Sequence, residues 1–358
     1  MALPAPRPDL GLGEGYHSAQ VDVEVRLNTN ESPYGPPEAW RAALAAEMAT
    51  LDWHRYPDRH ATDLRRALAD HHGVAPEQVF CANGSNEVLQ CLCLAYGGPG
   101  RVAVTFEPTY ALHTHIAHLS GTQVRHGSRR RDFSLDPADV GAVVAAARPA
   151  ITFLCSPNNP TGRGEDPGAV SAVLGAGGGL VVVDEAYGQF ADWSAVPLVA
   201  DDVPLVVTRT FSKTWSLAGL RLGYLIGPPE VVGHLDRVAL PYHLDALKQA
   251  AGRLALRHVG EMEARVAAIV AERDRLAAAM ASPAVTVWPS QANFVLFRPE
   301  RVKGSEVWQA LVDASVLVRD ASSWPGLEGC LRVTVGTAAE NDRFLSALAA
   351  ALDDGGRR

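Results

Sequence analysis

Lys213 offers the most consequential chemistry in this chain. It ends the run Thr210-Phe211-Ser212-Lys213, and Arg221 follows eight residues later. A lysine amine held as the free base attacks a carbonyl carbon. A hydroxyl and a guanidinium beside it suit a phosphate. Other short runs carry complementary groups. Pro108-Thr109-Tyr110 offers an aromatic face, and Ser156-Pro-Asn-Asn159-Pro-Thr-Gly162 is a tight turn with amide side chains. Asp184-Glu-Ala-Tyr187 supplies a carboxylate and a phenol. Upstream, Asn83-Gly84-Ser85-Asn86-Glu87 is a small-residue turn that opens a helix, and such a turn presents backbone N–H groups to an anion.

One cofactor, pyridoxal 5'-phosphate, has a use for each of these groups. The N–H groups of residues 84–86, the Ser212 hydroxyl and Arg221 fit its phosphate. The face of Tyr110 fits its ring. Asp184 suits a protonated ring nitrogen, and Asn159 and Tyr187 suit a phenolic oxygen. Lys213 suits the aldehyde. With Asp184 keeping the nitrogen protonated, the ring withdraws electrons. Desolvation and nearby positive charge disfavour the ammonium form of Lys213. Once an amino substrate has displaced it, Lys213 is free to move a proton at the substrate Cα. Taken singly, each residue has a plainer reading. A lysine after a strand is usually solvated, Asp184 could cap a helix, Tyr110 could be core, and SPNNPTG could be only a turn. Their joint order in one α/β domain is what argues for a site.

The elements that position these groups alternate. RVAVTFEP (101–108), AITFLCSP (150–157), LVVVDEAY (180–187) and LVVTRTFS (205–212) are short apolar runs that end in polar residues. Helical or Gly/Pro-punctuated segments separate them. That order predicts a mostly parallel sheet covered by helices, an α/β fold with ligands beyond the carboxyl ends of the strands. Residues 1 to about 35 read as an extended arm, and Pro36-Pro37 open a helix. Residues 245–281 read as one long helix with a break near Val259-Gly260. The strands and helices after it suggest a smaller α+β unit. The organisation expected is an arm and first helix over 1–45, a large cofactor-binding domain over 46–245, and a linking helix with a small C-terminal domain over 246–358.

Bulk properties narrow the function. The 358 residues are enough for about two domains. A formal net charge of -8 argues against a nucleic-acid partner. Arg129-Arg130-Arg131 is a local exception that reads as a solvated loop. Five cysteines, an odd count, do not suggest a disulfide framework, and Cys91 and Cys93 fall in a helical apolar run as buried thiols. The N-terminus has no apolar signal core, and no stretch approaches the ~18 apolar residues that cross a bilayer. A cytoplasmic setting without a membrane partner is therefore expected.

LNTNESPYGP, HRYPD, NGSNE, EPTY, SPNNPTG, VVVDEAYGQF and TRTFSKTWSLAGLRLGY together resemble the fold-type-I aminotransferases. More narrowly, the chain resembles the histidinol-phosphate aminotransferases, including their actinobacterial branch. LPYHLDALKQAAGRLALRH, PSQANFVLF and LRVTVGTAAEND extend the likeness from about Tyr16 to Asn341. The resemblance implies that Lys213 binds the cofactor covalently, Asp184 pairs with its ring nitrogen, and Asn159 and Tyr187 hold its phenolic oxygen. It implies that Tyr110 stacks on the ring and that Gly84, Ser85, Asn86, Thr210, Ser212 and Arg221 surround the phosphate. Tyr56, in RYPD, is expected to reach the cofactor phosphate of a partner subunit, which implies a homodimer with shared active sites. Arg332 matches an arginine that grips the acidic end of the substrate, a carboxylate or a phosphate. Arg319 and Arg343 match further anion-binding positions. Tyr16 matches a tyrosine that closes over the substrate, and Asn30-Glu31 is expected near the substrate side chain.

His113, His115 and His118 have spacing that invites a metal, but on a helix 113 and 115 do not share a face, so none is expected. The leading reading is transamination of histidinol phosphate with the glutamate/2-oxoglutarate pair, in histidine biosynthesis. An aromatic (phenylalanine) aminotransferase on the same scaffold is the alternative, because Arg332 serves either anion. A decarboxylase of similar build would release CO2 without an oxo acid. A non-enzymatic cofactor-binding regulator needs an added DNA-binding domain, and only about 15 residues precede the first family motif.

Overall fold

The computed structural model of the protein describes residues 3–4 and 19–355. Its strands fall into two sheets. In chain order they are β1 (Val25–Leu27), β2 (Val79–Ala82), β3 (Val102–Glu107), β4 (Gln123–Ser128), β5 (Ile151–Cys155) and β6 (Leu180–Asp184). They continue as β7 (Leu205–Thr210), β8 (Gly223–Ile226), β9 (Val285–Val287), β10 (Phe294–Pro299), β11 (Val316–Asp320) and β12 (Leu331–Thr334). The seven-stranded sheet has the order β2-β8-β7-β6-β5-β3-β4. Its pairings from β4 through to β7 are parallel, and β8 runs antiparallel to both neighbours. The mostly parallel sheet expected from the four apolar runs is thus present. Each run supplies one strand; β5 stops at its last apolar residue and β6 at Asp184, while β3 continues through Glu107 and β7 through Thr208, Arg209 and Thr210.

The central strands are apolar on both faces, as a sheet covered by helices on both sides requires. Val181 and Val183 of β6 enter one buried cluster, with Leu154 and Val207. Val182, between them, enters the opposite cluster with Phe153 and Val206. This two-residue alternation fixes which face each strand residue serves. It also leaves the strand ends as the places where polar side chains leave the sheet. Several covering helices carry their own start signals. Asp136 accepts from the N–H groups of Ala138 and Asp139 ahead of Pro137, and Asp166 accepts from Gly168 ahead of Pro167.

The second sheet has the order β1-β11-β12-β10-β9. β1 pairs in parallel with β11, and the remaining pairings are antiparallel. β1 departs from the reading of residues 1–35 as an extended arm. Only Val25 and Leu27 are buried in it, too short an alternation to register as a strand in sequence. The long helix of 245–281 is two helices, Ala246–Ala255 and Val259–Met280, joined by a 3-10 turn over Leu256–His258.

The arginine triplet needs a correction. Arg130 and Arg131 are exposed, but the Arg129 side chain is only 1% exposed. It reaches the Glu165 carboxylate at 2.6 Å and donates to the carbonyls of Phe106 and Phe133. A buried guanidinium needs such a partner set. Cys91 and Cys93 lie buried in the helix Gly84–Tyr96, and all five cysteines are free thiols. Among the described residues no helix is long and apolar enough to cross a membrane.

Candidate active site

A cavity of about 330 Å³ opens beyond the carboxyl ends of β3, β5, β6 and β7. The strand order explains its place. The chain leaves β3 outward to β4 at the sheet edge, then returns to the other side of β3 as β5. Crossovers that diverge in this way leave a crevice, where α/β sheets bind ligands. Asn158 knits the two tails that flank it. Its amide donates to the Pro108 carbonyl and to Thr161, and it accepts from the Thr109 hydroxyl. Tyr110 and Asn159 are thereby placed on one wall.

Asp184 ends β6 at the cavity floor and is 1% exposed. One carboxylate oxygen accepts from the Ala186 N–H and the Thr208 hydroxyl, each at 3.1 Å. The other lies 2.9 Å from His113 Nε2. The His113 ring is held flat against Phe153, with centroids 4.9 Å apart, and edge-on to Tyr110. A carboxylate acceptor opposite Nε2 requires that nitrogen to carry the proton. In the sequence alone His113 suggests only a metal ligand, a role its helical spacing disfavours. Its signal was position: it lies three residues after Tyr110, one helical turn from a pocket residue.

Lys213 follows β7 and points into the cavity, where its Nζ donates to the Thr29 carbonyl at 3.0 Å. Burial, with Arg332 and Arg221 nearby, pulls its amine down to about 7, against a weaker opposing pull from Glu31. The free base is therefore well populated at neutral pH.

A phosphate-sized cradle lies at the other end. The helix Gly84–Tyr96 begins there, and its first N–H groups have no partner within the helix. Ser85 and Asn86 line the cavity. Ser212 accepts from Thr210 at 2.9 Å and from Arg221 at 3.2 Å. Gly84 has φ +78°, and a Cβ there would meet Arg221 Nη2 at 2.9 Å. Glycine is what allows the guanidinium to close over the helix end.

The remaining wall carries the substrate-facing groups. Arg332, on β12, is 2% exposed. It donates to the Asn159 side-chain oxygen and, at 2.8 Å, to the Asn28 carbonyl. Asn159 therefore turns its NH2 away from Arg332. Tyr187 is buried, receives a hydrogen bond from Asn30 Nδ2 at 2.9 Å, and packs edge-on against Phe294. Tyr110 donates to Asn86 at 3.3 Å.

The structure thus brings Asn30, Ser85, Asn86, Tyr110, Asn159, Asp184, Tyr187, Thr210, Ser212, Lys213, Arg221 and Arg332 to one cavity, with Gly84 behind it. It leaves others outside. Arg319 lies over the Trp324 ring at 5.3 Å and does not line the cavity. Arg343 pairs with Glu24 at the surface, so its reading as a substrate arginine is not what this chain's geometry offers. Tyr56 is 81% exposed and stacked on Tyr242, away from this cavity. Tyr16 lies outside the described residues. Thr29 and Cys155 line the cavity without having been singled out in the sequence.

The description "Aminotransferase class I and II" belongs to the family model that matches residues 22–348. The chain belongs to this family. Among curated relatives, the histidinol-phosphate aminotransferase of Frankia casuarinae is 47% identical over 94% of this aminotransferase and 87% of its own length. That of Mycobacterium avium is 45% identical over 96% and 87%. Among solved structures, the histidinol-phosphate aminotransferase of Sinorhizobium meliloti, in complex with pyridoxal-5'-phosphate, shares the fold at TM-score 0.87 and 22% identity, covering 99% of each chain. The cavity of this aminotransferase fits that cofactor by its donor set. A depressed amine, a buried carboxylate and a cation-closed helix end are arranged around one space.

Proposed function

We propose that this aminotransferase transfers the amino group of histidinol phosphate to 2-oxoglutarate, with pyridoxal 5'-phosphate held on Lys213. The observation that carries the reading is Arg332. It is a buried guanidinium lining the same cavity as the phosphate cradle, aimed by two protein acceptors. A second anion grip suits a substrate phosphate in one half-reaction and a glutamate carboxylate in the other. Relatives 43–47% identical, all named histidinol-phosphate aminotransferase, favour the imidazole substrate.

Bound pyridoxal phosphate supplies an electron sink for the substrate Cα. The chain supplies the rest. Asp184, steadied by His113, would face the ring nitrogen and keep it protonated. Asn159 and Tyr187 would donate to the phenolic oxygen. Ser85, Asn86, Thr210, Ser212 and Arg221 would hold the phosphate, and Tyr110 would cover the ring. Lys213, as a neutral amine, would take the Cα proton and return it on the cofactor side. Arg332 holds the substrate so that the Cα–H faces Lys213.

Two further parts of the reading concern assembly. Trp53, Tyr56, Leu240 and Tyr242 are exposed, and Tyr56 stacks on Tyr242; these uncovered apolar side chains support a homodimer in which Tyr56 reaches the partner's phosphate cradle. Five free, buried cysteines support a reducing, cytoplasmic setting. Side-by-side kcat/KM for histidinol phosphate and phenylalanine, with 2-oxoglutarate as acceptor, tests the substrate. Histidinol phosphate is expected to lead by at least about a hundredfold, two phosphate-directed hydrogen bonds' worth. A preference for phenylalanine overturns the reading.

A further inference from the structure

Asn30 sits where three separate parts of the chain meet. It follows β1, it faces Thr334 at the end of β12, and it touches Tyr187 just past β6. It is 1% exposed and holds φ at +56°, in the left-handed region that most residues avoid. Asparagine tolerates that region better than most side chains.

Every polar group of this residue has a partner, and the partners fix one another's direction. The Asn30 backbone N–H can only donate, and it donates to Thr334 Oγ1 at 2.9 Å. The Thr334 hydroxyl proton then goes to Asn30 Oδ1 at 3.1 Å. With its oxygen committed, the amide turns its NH2 to Tyr187, donating to the hydroxyl oxygen at 2.9 Å. The Asn30 carbonyl accepts from Asn293 at 3.1 Å, which locks the backbone in place. The Tyr187 oxygen is therefore an acceptor on the Asn30 side, and its own proton must leave in another direction.

We propose that Asn30 is a positioning residue that sets the polarity of the Tyr187 hydroxyl, obliging it to act as a donor toward the cavity. The inference rests on the reading of Tyr187 as a donor to the cofactor's phenolic oxygen. It also makes β12 common to substrate and cofactor. Arg332 grips the substrate, and Thr334, two residues further along, orients the group that holds the cofactor. A substitution at Thr334 is thus felt at Tyr187 without touching either ligand.

The test is a pH titration of the visible absorbance of the cofactor-loaded protein. A donor to the phenolic oxygen stabilises its deprotonated form, so loss of the donor raises the midpoint. Tyr187→Phe is expected to raise it by about one pH unit, the scale of one hydrogen bond to a charged oxygen. Asn30→Asp offers Tyr187 only an acceptor, so the phenol proton is drawn away and the midpoint rises by a similar amount. Asn30→Ala, which adds no charge, is expected to raise it by a smaller amount. Asn30→Ala combined with Tyr187→Phe is expected to match Tyr187→Phe alone, since both act through one hydroxyl. If the Asn30 variants do not fold, Thr334→Val serves, with a smaller shift in the same direction. An unmoved midpoint in Asn30→Ala, or in Thr334→Val where it is the variant that folds, while Tyr187→Phe shifts, overturns the role of Asn30 alone. An unmoved midpoint in Tyr187→Phe removes the Tyr187 reading, and this inference with it.

Discussion

His113 Nε2 lies 2.9 Å from Asp184 Oδ2, and both side chains are almost wholly buried. The pair sits behind the cavity floor, with the imidazole fixed between Phe153 and Tyr110. A buried carboxylate holds its charge only when its lone pairs are satisfied. His113, Thr208 and the Ala186 N–H satisfy those of Asp184.

His113→Phe keeps the stacking and removes the donor. A hydrogen bond to a charged group contributes about 1.5–3 kcal/mol. The variant is expected to lose roughly tenfold to a hundredfold in kcat, with a small change in KM. His113→Gln, which can still donate, should recover part of the loss. Steady-state kinetics on both variants check this. A His113→Phe enzyme with full kcat would show that the imidazole only fills space.

The Lys213 amine gives a pH dependence with a definite sign. It falls to about 7 in the folded protein, against 10.5 for an ordinary lysine. Between those values the unfolded chain binds the proton and the folded chain does not. The stability cost of burying the charge is fully present below pH 7, and it is relieved as pH rises toward 10.5. Cofactor-free protein should therefore gain in Tm relative to Lys213→Met between pH 7 and 10. Cofactor uptake by the wild type should follow the free base, with a midpoint near 7. A midpoint near 10 would contradict the desolvated amine.

Strand ends were legible in sequence because each apolar run gives way to polar residues at Asp184 or within a few residues before Tyr110, Asn159 and Lys213. That pattern needs no knowledge of contacts. Arg129 was not legible. Its neighbours Arg130 and Arg131 are solvated, and nothing local says that Glu165, 36 residues away, will meet it in the interior. β1 was hidden because three residues cannot establish a period, and its partner β11 lies almost three hundred residues on. His113 was visible as a residue but not as a partner, since the contact with Asp184 joins segments 71 residues apart.

The Arg129–Glu165 pair is a stability element beside the site. Burial holds the Glu165 carboxyl above its ordinary value, and Arg129 offsets only part of that rise. The Glu165 N–H also donates to Ser156 at 3.1 Å, which ties the pair to the turn carrying Asn159. Arg129→Met leaves a carboxylate buried alone, at a cost of about 3–5 kcal/mol. Adding Glu165→Leu removes the orphaned charge and is expected to restore much of that. Thermal melts of the single and double variants check the ordering. A double variant less stable than Arg129→Met would contradict it.

Arg332 should serve both halves of the reaction. One guanidinium, held by Asn159 and the Asn28 carbonyl, faces whichever substrate is bound. Arg332→Gln is expected to lower the rate constant per molar substrate by roughly tenfold to a hundredfold for histidinol phosphate and for glutamate alike, the loss of a charge-assisted bidentate contact. Arg332→Lys keeps the charge but not the planar fork, so it should fall between. Histidinol, which lacks the phosphate, should react with variant and wild type at similar rates. Single-turnover half-reactions with each donor separate the cases. If only glutamate is affected, the phosphate is gripped elsewhere, and Arg332 is a carboxylate site alone.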